Sequence, residues 1–85
     1  MSGSPILNQG KFFEASNFLQ QNIAYNAGGN AEYIGHAAPG SSDSAAAWRI
    51  QKLTYNASGN VTAIRFADSS IEFGKVWDDR LAYSY

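Results

Sequence analysis

The sequence has no cysteine, a single histidine and few charged residues, and each shortage excludes a class of protein. Without cysteine there is no disulfide, and one histidine alone excludes a Cys/His zinc site. Charged residues form 15% of the chain, below the average of about 25%. The six Lys+Arg and seven Asp+Glu are scattered and form no basic stripe, so nucleic acid is not expected as a partner.

Long apolar runs are also missing. No segment approaches the roughly 20 apolar residues of a membrane span, so no membrane partner is expected. Residues 1–10 lack the basic start and the apolar run of a secretory signal, which predicts synthesis in a reducing cytoplasm. Their small, polar, glycine-containing composition predicts an extended or mobile arm before a single β-rich domain at residues 11–85.

Aromatic residues, by contrast, reach 14% of the chain and fall with β-branched residues in short runs between turn formers. This pattern is typical of antiparallel hairpins. Strands are predicted at residues 21–25, 31–36, 48–55, 61–68 and 71–77. The alternation of residues 81–85 predicts a last strand, which either closes the sheet or pairs with a neighbouring subunit. We therefore predict a small all-β domain, an antiparallel meander or sandwich-like fold of about five or six short strands. Residues 11–19 fit either one or two helical turns or extended structure.

A chain of 85 residues has a small core, because it buries only about 60–65% of the surface of its unfolded form. The large apolar residues of the predicted strands are the candidate core anchors: Trp48, Ile50, Ile64, Phe66, Phe73 and Trp77. In residues 48–55 the apolar face switches near residues 51–52, which indicates either a β-bulge or a sheet covered on both faces, one of them by a partner.

Association is the stabilisation left to a small domain without disulfides or a metal. We expect a homo-oligomer or a protein present in many copies in an assembly. The candidate interface residues are two apolar residues of the arm and four tyrosines, which can fill an interface pocket or stack on a sugar: Ile6, Leu7, Tyr33, Tyr55, Tyr83 and Tyr85.

Catalytic chemistry is not expected. Asp78 and Asp79 are adjacent carboxylates, but neighbours along a strand point to opposite faces. His36 has no cysteine or second histidine to act with, and no serine lies in a Gly-x-Ser-x-Gly sequence. The sequence therefore predicts a protein that is not an enzyme and that needs no cofactor or metal.

Two loops share the sequence Tyr-Asn-Ala-(Gly/Ser)-Gly-Asn, at residues 25–30 and 55–60. The repeat indicates either duplication of a hairpin unit or independent use of residues that suit such a turn.

These loops belong to an ordered series of short motifs: Tyr-Ile-Gly-His-Ala-Ala-Pro-Gly at residues 33–40, Trp-Arg-Ile at residues 48–50, Gly-Asn-Val-Thr at residues 59–62 and Trp-Asp-Asp-Arg at residues 77–80. Over residues 25–85 the series resembles a family of small β-rich virion proteins of tailed bacteriophages and prophages. The resemblance implies a structural component of the virion without enzymatic activity, with other virion proteins as partners. The chain departs from the family pattern at residues 68–71, where a glycine or asparagine is more usual. The alternative is a carbohydrate-binding or adhesin module that uses exposed tyrosines.

Overall fold

A computed structural model of the chain describes residues 18–85. The arm, with Ile6 and Leu7, and most of the segment at residues 11–19 lie outside the described residues. Within them the chain forms a five-stranded antiparallel sheet, which confirms the predicted all-β fold. The strands are β1 (Gln20–Tyr25), β2 (Ala31–Ala37), β3 (Ala46–Tyr55), β4 (Val61–Phe66) and β5 (Lys75–Val76).

The first four strands form a meander in the order β1-β2-β3-β4. Its first hairpin turns at the predicted loop, where the Asn26 side-chain oxygen accepts hydrogen bonds from the amides of Gly28 at 2.9 Å and Asn30 at 3.0 Å. Gly29 has a φ of 85°, a left-handed conformation that a glycine adopts without a steric penalty.

The hairpin between β3 and β4 repeats this turn. The Asn56 side-chain oxygen accepts from the amides of Ser58 and Asn60, both at 3.0 Å, and Gly59 has a φ of 86°. Two loops with one sequence pattern thus have one hydrogen-bond pattern, because both place asparagine and glycine where the turn requires them.

The prediction of a third meander strand at residues 71–77 was wrong in length and pairing. Only Lys75–Val76 is a strand, and it pairs with the start of β3 rather than with β4. The chain leaves β4 through a 3₁₀ turn at Ala67–Ser69, where Asp68 and Ser69 have φ values of 53° and 58°. Two successive left-handed residues redirect the backbone away from β4.

The predicted last strand at residues 81–85 was also wrong. Residues Trp77–Ala82 form a 3₁₀ helix, and the chain then runs back to the turn after β4. There the amide of Asp68 donates to the Ser84 carbonyl at 2.7 Å, and the Asp68 carboxylate accepts from the Ser84 amide at 3.0 Å. These bonds hold the last residues against their own domain.

The sheet has one covered face, which we call the inner face. Its core contains Trp48, Ile50, Tyr33, Ala37, Ala67 and Trp77, and all of them are buried. The 3₁₀ helix brings Trp77 onto this face, where its ring centroid lies 5.8 Å from that of Trp48. The Trp48 indole nitrogen donates to the Ser42 carbonyl at 2.9 Å, so the segment between β2 and β3 is tied to the same core.

Gly35 in the middle of β2 allows this packing. A Cβ atom at this position would lie 2.6 Å from Cε3 of Trp77 and 3.0 Å from Cε3 of Trp48. Both rings therefore lie against the bare backbone of β2, an approach that only glycine permits.

Candidate interaction surfaces

The opposite side of the sheet, the outer face, carries a row of side chains across all four meander strands. Ile23 is the direct partner of Ile34, Ile34 of Gln51, and Gln51 of Phe66. Direct partners in antiparallel strands lie on the same face, so these side chains are neighbours. Ile23 remains 42% exposed, and Ile34 and Phe66 are half-buried.

A second apolar group continues the outer face toward the far end of β3. Leu53 pairs with Ile64, and Tyr55 pairs with Val61. Ile64 is 53% exposed and Val61 is 47% exposed. The predictions of Ile64 and Phe66 as core anchors were therefore wrong, because alternation along the edge strand β4 directs both side chains to the outer face and not to the core.

The pairing through residues 51 and 52 is regular, so no bulge lies at the predicted switch of face. Instead β3 carries apolar residues on both faces. Trp48 and Ile50 are fully buried on the inner face, whereas Leu53 is half-buried on the outer one. On the outer face Ile23, Ile64 and Val61 stay 42–53% exposed, so much of its apolar surface is not covered by residues 18–85.

A polar group lies at the other end of the outer face. His36 pairs with Arg49, and its Nε2 atom is hydrogen-bonded to the Gln21 amide nitrogen at 2.8 Å. Burial, and then the charge of Arg49, lower the pKa of His36 below its usual 6.5, so the ring is neutral at pH 7. The Arg49 guanidinium lies 4.6 Å from the ring centroid of Phe73. Phe73 is 45% exposed and is thus not the core anchor predicted, because the irregular segment before β5 places it over Arg49.

The tyrosines predicted at an interface make contacts within the domain. Tyr33 is 7% exposed and belongs to the core, because alternation in β2 places it on the inner face with Gly35. The Tyr55 hydroxyl donates to the Ala31 carbonyl at 2.6 Å, and the Tyr83 hydroxyl accepts from the amide of Val76 at 2.9 Å.

Tyr85 packs edge-on against Tyr33 with ring centroids 5.6 Å apart, and its hydroxyl donates to the Arg80 carbonyl at 2.9 Å. Burial, followed by the nearby Tyr33, raises the pKa of Tyr85 to about 12. The most exposed tyrosine is Tyr25, at 64%, which was not among the predicted interface residues.

A cavity of about 390 Å³ lies at the inner-face end of β3 and β4. It is lined by Lys52, Thr54, Thr62, Ala63, Arg65 and Tyr85. Lys52 and Arg65 are direct cross-strand partners, so both cationic side chains lie on the inner face. Sequence reasoning missed this site, although the alternation of β3 already places Lys52 on the face of Trp48 and Ile50.

Asp78 and Asp79 lie in the first turn of the 3₁₀ helix and are exposed. Within the described part of the chain, no three His, Asp or Glu side chains gather as metal ligands.

No helix among residues 18–85 is long and apolar enough to cross a membrane.

Comparison of the chain with known proteins finds no matching family model, curated protein or solved structure.

Proposed function

We propose that the protein is a non-enzymatic structural component of a tailed-phage virion, which assembles through contacts with copies of itself and with other virion proteins. The observation that carries the assembly role is the apolar outer face. The ordered motifs of residues 25–85 support the assignment to a phage particle.

The energetics of the outer face favour a subunit contact. Fully burying one Ile, Leu or Phe side chain stabilises a complex by about 1.5–3 kcal/mol. Ile23 on β1 and Ile64 and Val61 on β4 remain 42–53% exposed. The half-buried Ile34 is the direct partner of Ile23, and the half-buried Phe66 lies on the same face of β4 as Ile64. Several exposed apolar side chains on one sheet face mark an interaction site more often than scattered single residues do.

The arrangement of the tyrosines supports assembly over the carbohydrate-binding alternative. A glycan site of the expected kind needs a flat, exposed row of two or three aromatic rings. Tyr25 is 64% exposed, whereas Tyr33 is in the core and the hydroxyls of Tyr55, Tyr83 and Tyr85 are hydrogen-bonded inside the domain.

Sedimentation velocity at micromolar concentration tests the outer face directly. The wild-type chain should sediment as an oligomer, and Ile64→Lys should reduce the association by placing an ammonium group in the contact. Leu81→Lys is the matched control, because Leu81 is also a large apolar side chain, 75% exposed, but lies in the 3₁₀ helix that packs on the inner side. A monomeric wild type, or equal loss in both variants, would rule out this face as the contact.

The virion role has a separate test. Mass spectrometry of purified particles from the phage or prophage that encodes the chain should detect it in many copies, and imaging should place it in the particle. Deleting residues 1–10, with Ile6 and Leu7, should reduce its incorporation while the isolated domain keeps its melting temperature. A particle that lacks the protein would contradict the proposal.

A further inference from the structure

We propose that the cavity between Lys52, Arg65 and Tyr85 binds a small organic anion, a molecule that carries a carboxylate or phosphate group on a hydroxylated body. This site lies on the inner side of the sheet, and the proposal does not depend on the assembly role of the outer face.

The first argument is the direct opposition of two positive charges. Lys52 and Arg65 are cross-strand partners on one face, and side chains in such positions have Cβ atoms about 4.5–5.5 Å apart. Like charges in this position destabilise a sheet. Among residues 18–85 one ion pair is formed, between Lys75 and Asp68 at 3.4 Å. Neither Lys52 nor Arg65 therefore has a carboxylate partner in this part of the chain. An oxyanion between them would turn a repulsive pair into two attractive contacts.

The second argument is that Lys52 is held in place. Its ammonium nitrogen lies 5.7 Å from the ring centroid of Tyr33 and 5.9 Å from that of Tyr85, and the residue is half-buried. Contact with aromatic faces fixes a cation without neutralising it. Arg65 is exposed on the edge strand, and its guanidinium can bind a carboxylate or phosphate through two parallel N–H donors.

The remaining lining suits a hydroxylated ligand. Thr54 and Thr62 both line the cavity, and the Thr62 hydroxyl makes only a long bond, 3.3 Å, to the Thr54 carbonyl. The Tyr85 hydroxyl already donates to Arg80, so Tyr85 offers its ring as an apolar wall. A volume of about 390 Å³ falls within the range of small-molecule sites, about 300–1,000 Å³.

The test is a titration of the ¹⁵N-labelled chain, followed by amide chemical shifts at constant ionic strength. The probes are inorganic phosphate and D-glucuronate, with D-glucose as the neutral control. Both anions should give saturable millimolar shifts at Thr54, Thr62 and Arg65, and glucose should not. If glucuronate binds more tightly than phosphate, the ligand type is an acidic sugar. If phosphate binds more tightly than glucuronate, the ligand type is a phosphorylated compound.

Variants separate the site from general electrostatics. Lys52→Gln and Arg65→Gln should each weaken binding at least tenfold, and Arg65→Gln should fold normally because it removes a repulsive contact. Lys75→Gln removes the same charge outside the cavity and should leave binding unchanged. Shifts that rise linearly without saturation, glucose binding as tight as glucuronate binding, or equal weakening in Lys75→Gln would overturn the proposal.

Discussion

Replacing Gly35 by alanine tests the central packing of the domain with one methyl group. The new Cβ would lie 2.6 Å and 2.8 Å from two atoms of the Trp77 ring and 3.0 Å from Trp48. Optimal separation between carbon atoms is about 3.5–4.0 Å, so the Trp77 ring must move by about 1 Å.

Neither ring can move freely. The Arg80 guanidinium lies 4.6 Å from the ring centroid of Trp77, and Trp48 is fully buried with its indole nitrogen bonded to Ser42. Forcing an extra carbon into such a core costs about 1–3 kcal/mol, and two clashing rings favour the upper end. Replacing a glycine stiffens the unfolded chain and returns about 0.4–1 kcal/mol. The expected net loss for Gly35→Ala is therefore about 2–2.5 kcal/mol.

Urea unfolding followed by tryptophan fluorescence measures this loss, because both reporters lie beside the substitution. With a urea dependence of about 1 kcal/mol/M for a small domain, the midpoint should fall by about 2–2.5 M. In a domain with about 5 kcal/mol of stability this removes roughly half.

Gly74→Ala is the matched control, since a Cβ atom added there would have no neighbour within 4 Å and the backbone needs no positive φ. It should leave the midpoint unchanged or raise it slightly. Combining Gly35→Ala with Trp77→Leu should cost less than the sum of the two single losses, because the smaller side chain removes the clash. A Gly35→Ala midpoint equal to that of the wild type would refute the packing of both rings on β2.

Four further predictions address the core, the two perturbed pKa values and metal dependence. Trp48→Ala should destabilise the domain by about 3–5 kcal/mol and abolish folding, as monitored by near-ultraviolet circular dichroism; a retained melting transition would contradict its core position. The pKa of His36 is lowered in the folded state, so its contribution to stability is complete above pH 6.5 and is lost as the pH falls through the folded value. The urea midpoint should therefore decrease when the pH is lowered below about 6.5, and His36→Gln should flatten this pH dependence. The pKa of Tyr85 is raised to about 12, so the contribution of this residue to stability is lost as the pH rises from about 10 through 12. In an ultraviolet titration, the tyrosinate step at the highest pH should be absent from the Tyr85→Phe variant. Chelator should leave the melting temperature unchanged, and a fall reversed by calcium would assign Asp78 and Asp79 as ligands.

The hairpins could be predicted from the sequence because their determinants are local. In each loop one asparagine caps the turn with its own side chain, and one glycine four residues after the tyrosine adopts the left-handed conformation, with φ values of 85° and 86°. Trp48 and Trp77 could be predicted as core residues for a similar reason, since a small sheet buries its largest apolar side chains.

The course of the chain after β4 could not be predicted in this way. Residues 71–77 and 81–85 have strand-like composition, but a strand exists only where a neighbouring edge accepts its hydrogen bonds. The left-handed Asp68 and Ser69 turn the backbone away from β4, and Lys75–Val76 reaches the free edge beside the start of β3 instead.

The two candidate surfaces also depend on pairing that the sequence alone does not specify. Alternation places Lys52 on the face of Trp48 and Ile64 on the face of Phe66. Only the register makes Lys52 the direct partner of Arg65 and Ile64 that of Leu53. The sequence thus determined the two Asn/Gly hairpin turns, the all-β fold and the tryptophan core through short-range chemistry. The tertiary structure decided which face of the sheet is covered and which charges meet, because those depend on strand register and on where the last residues of the chain pack.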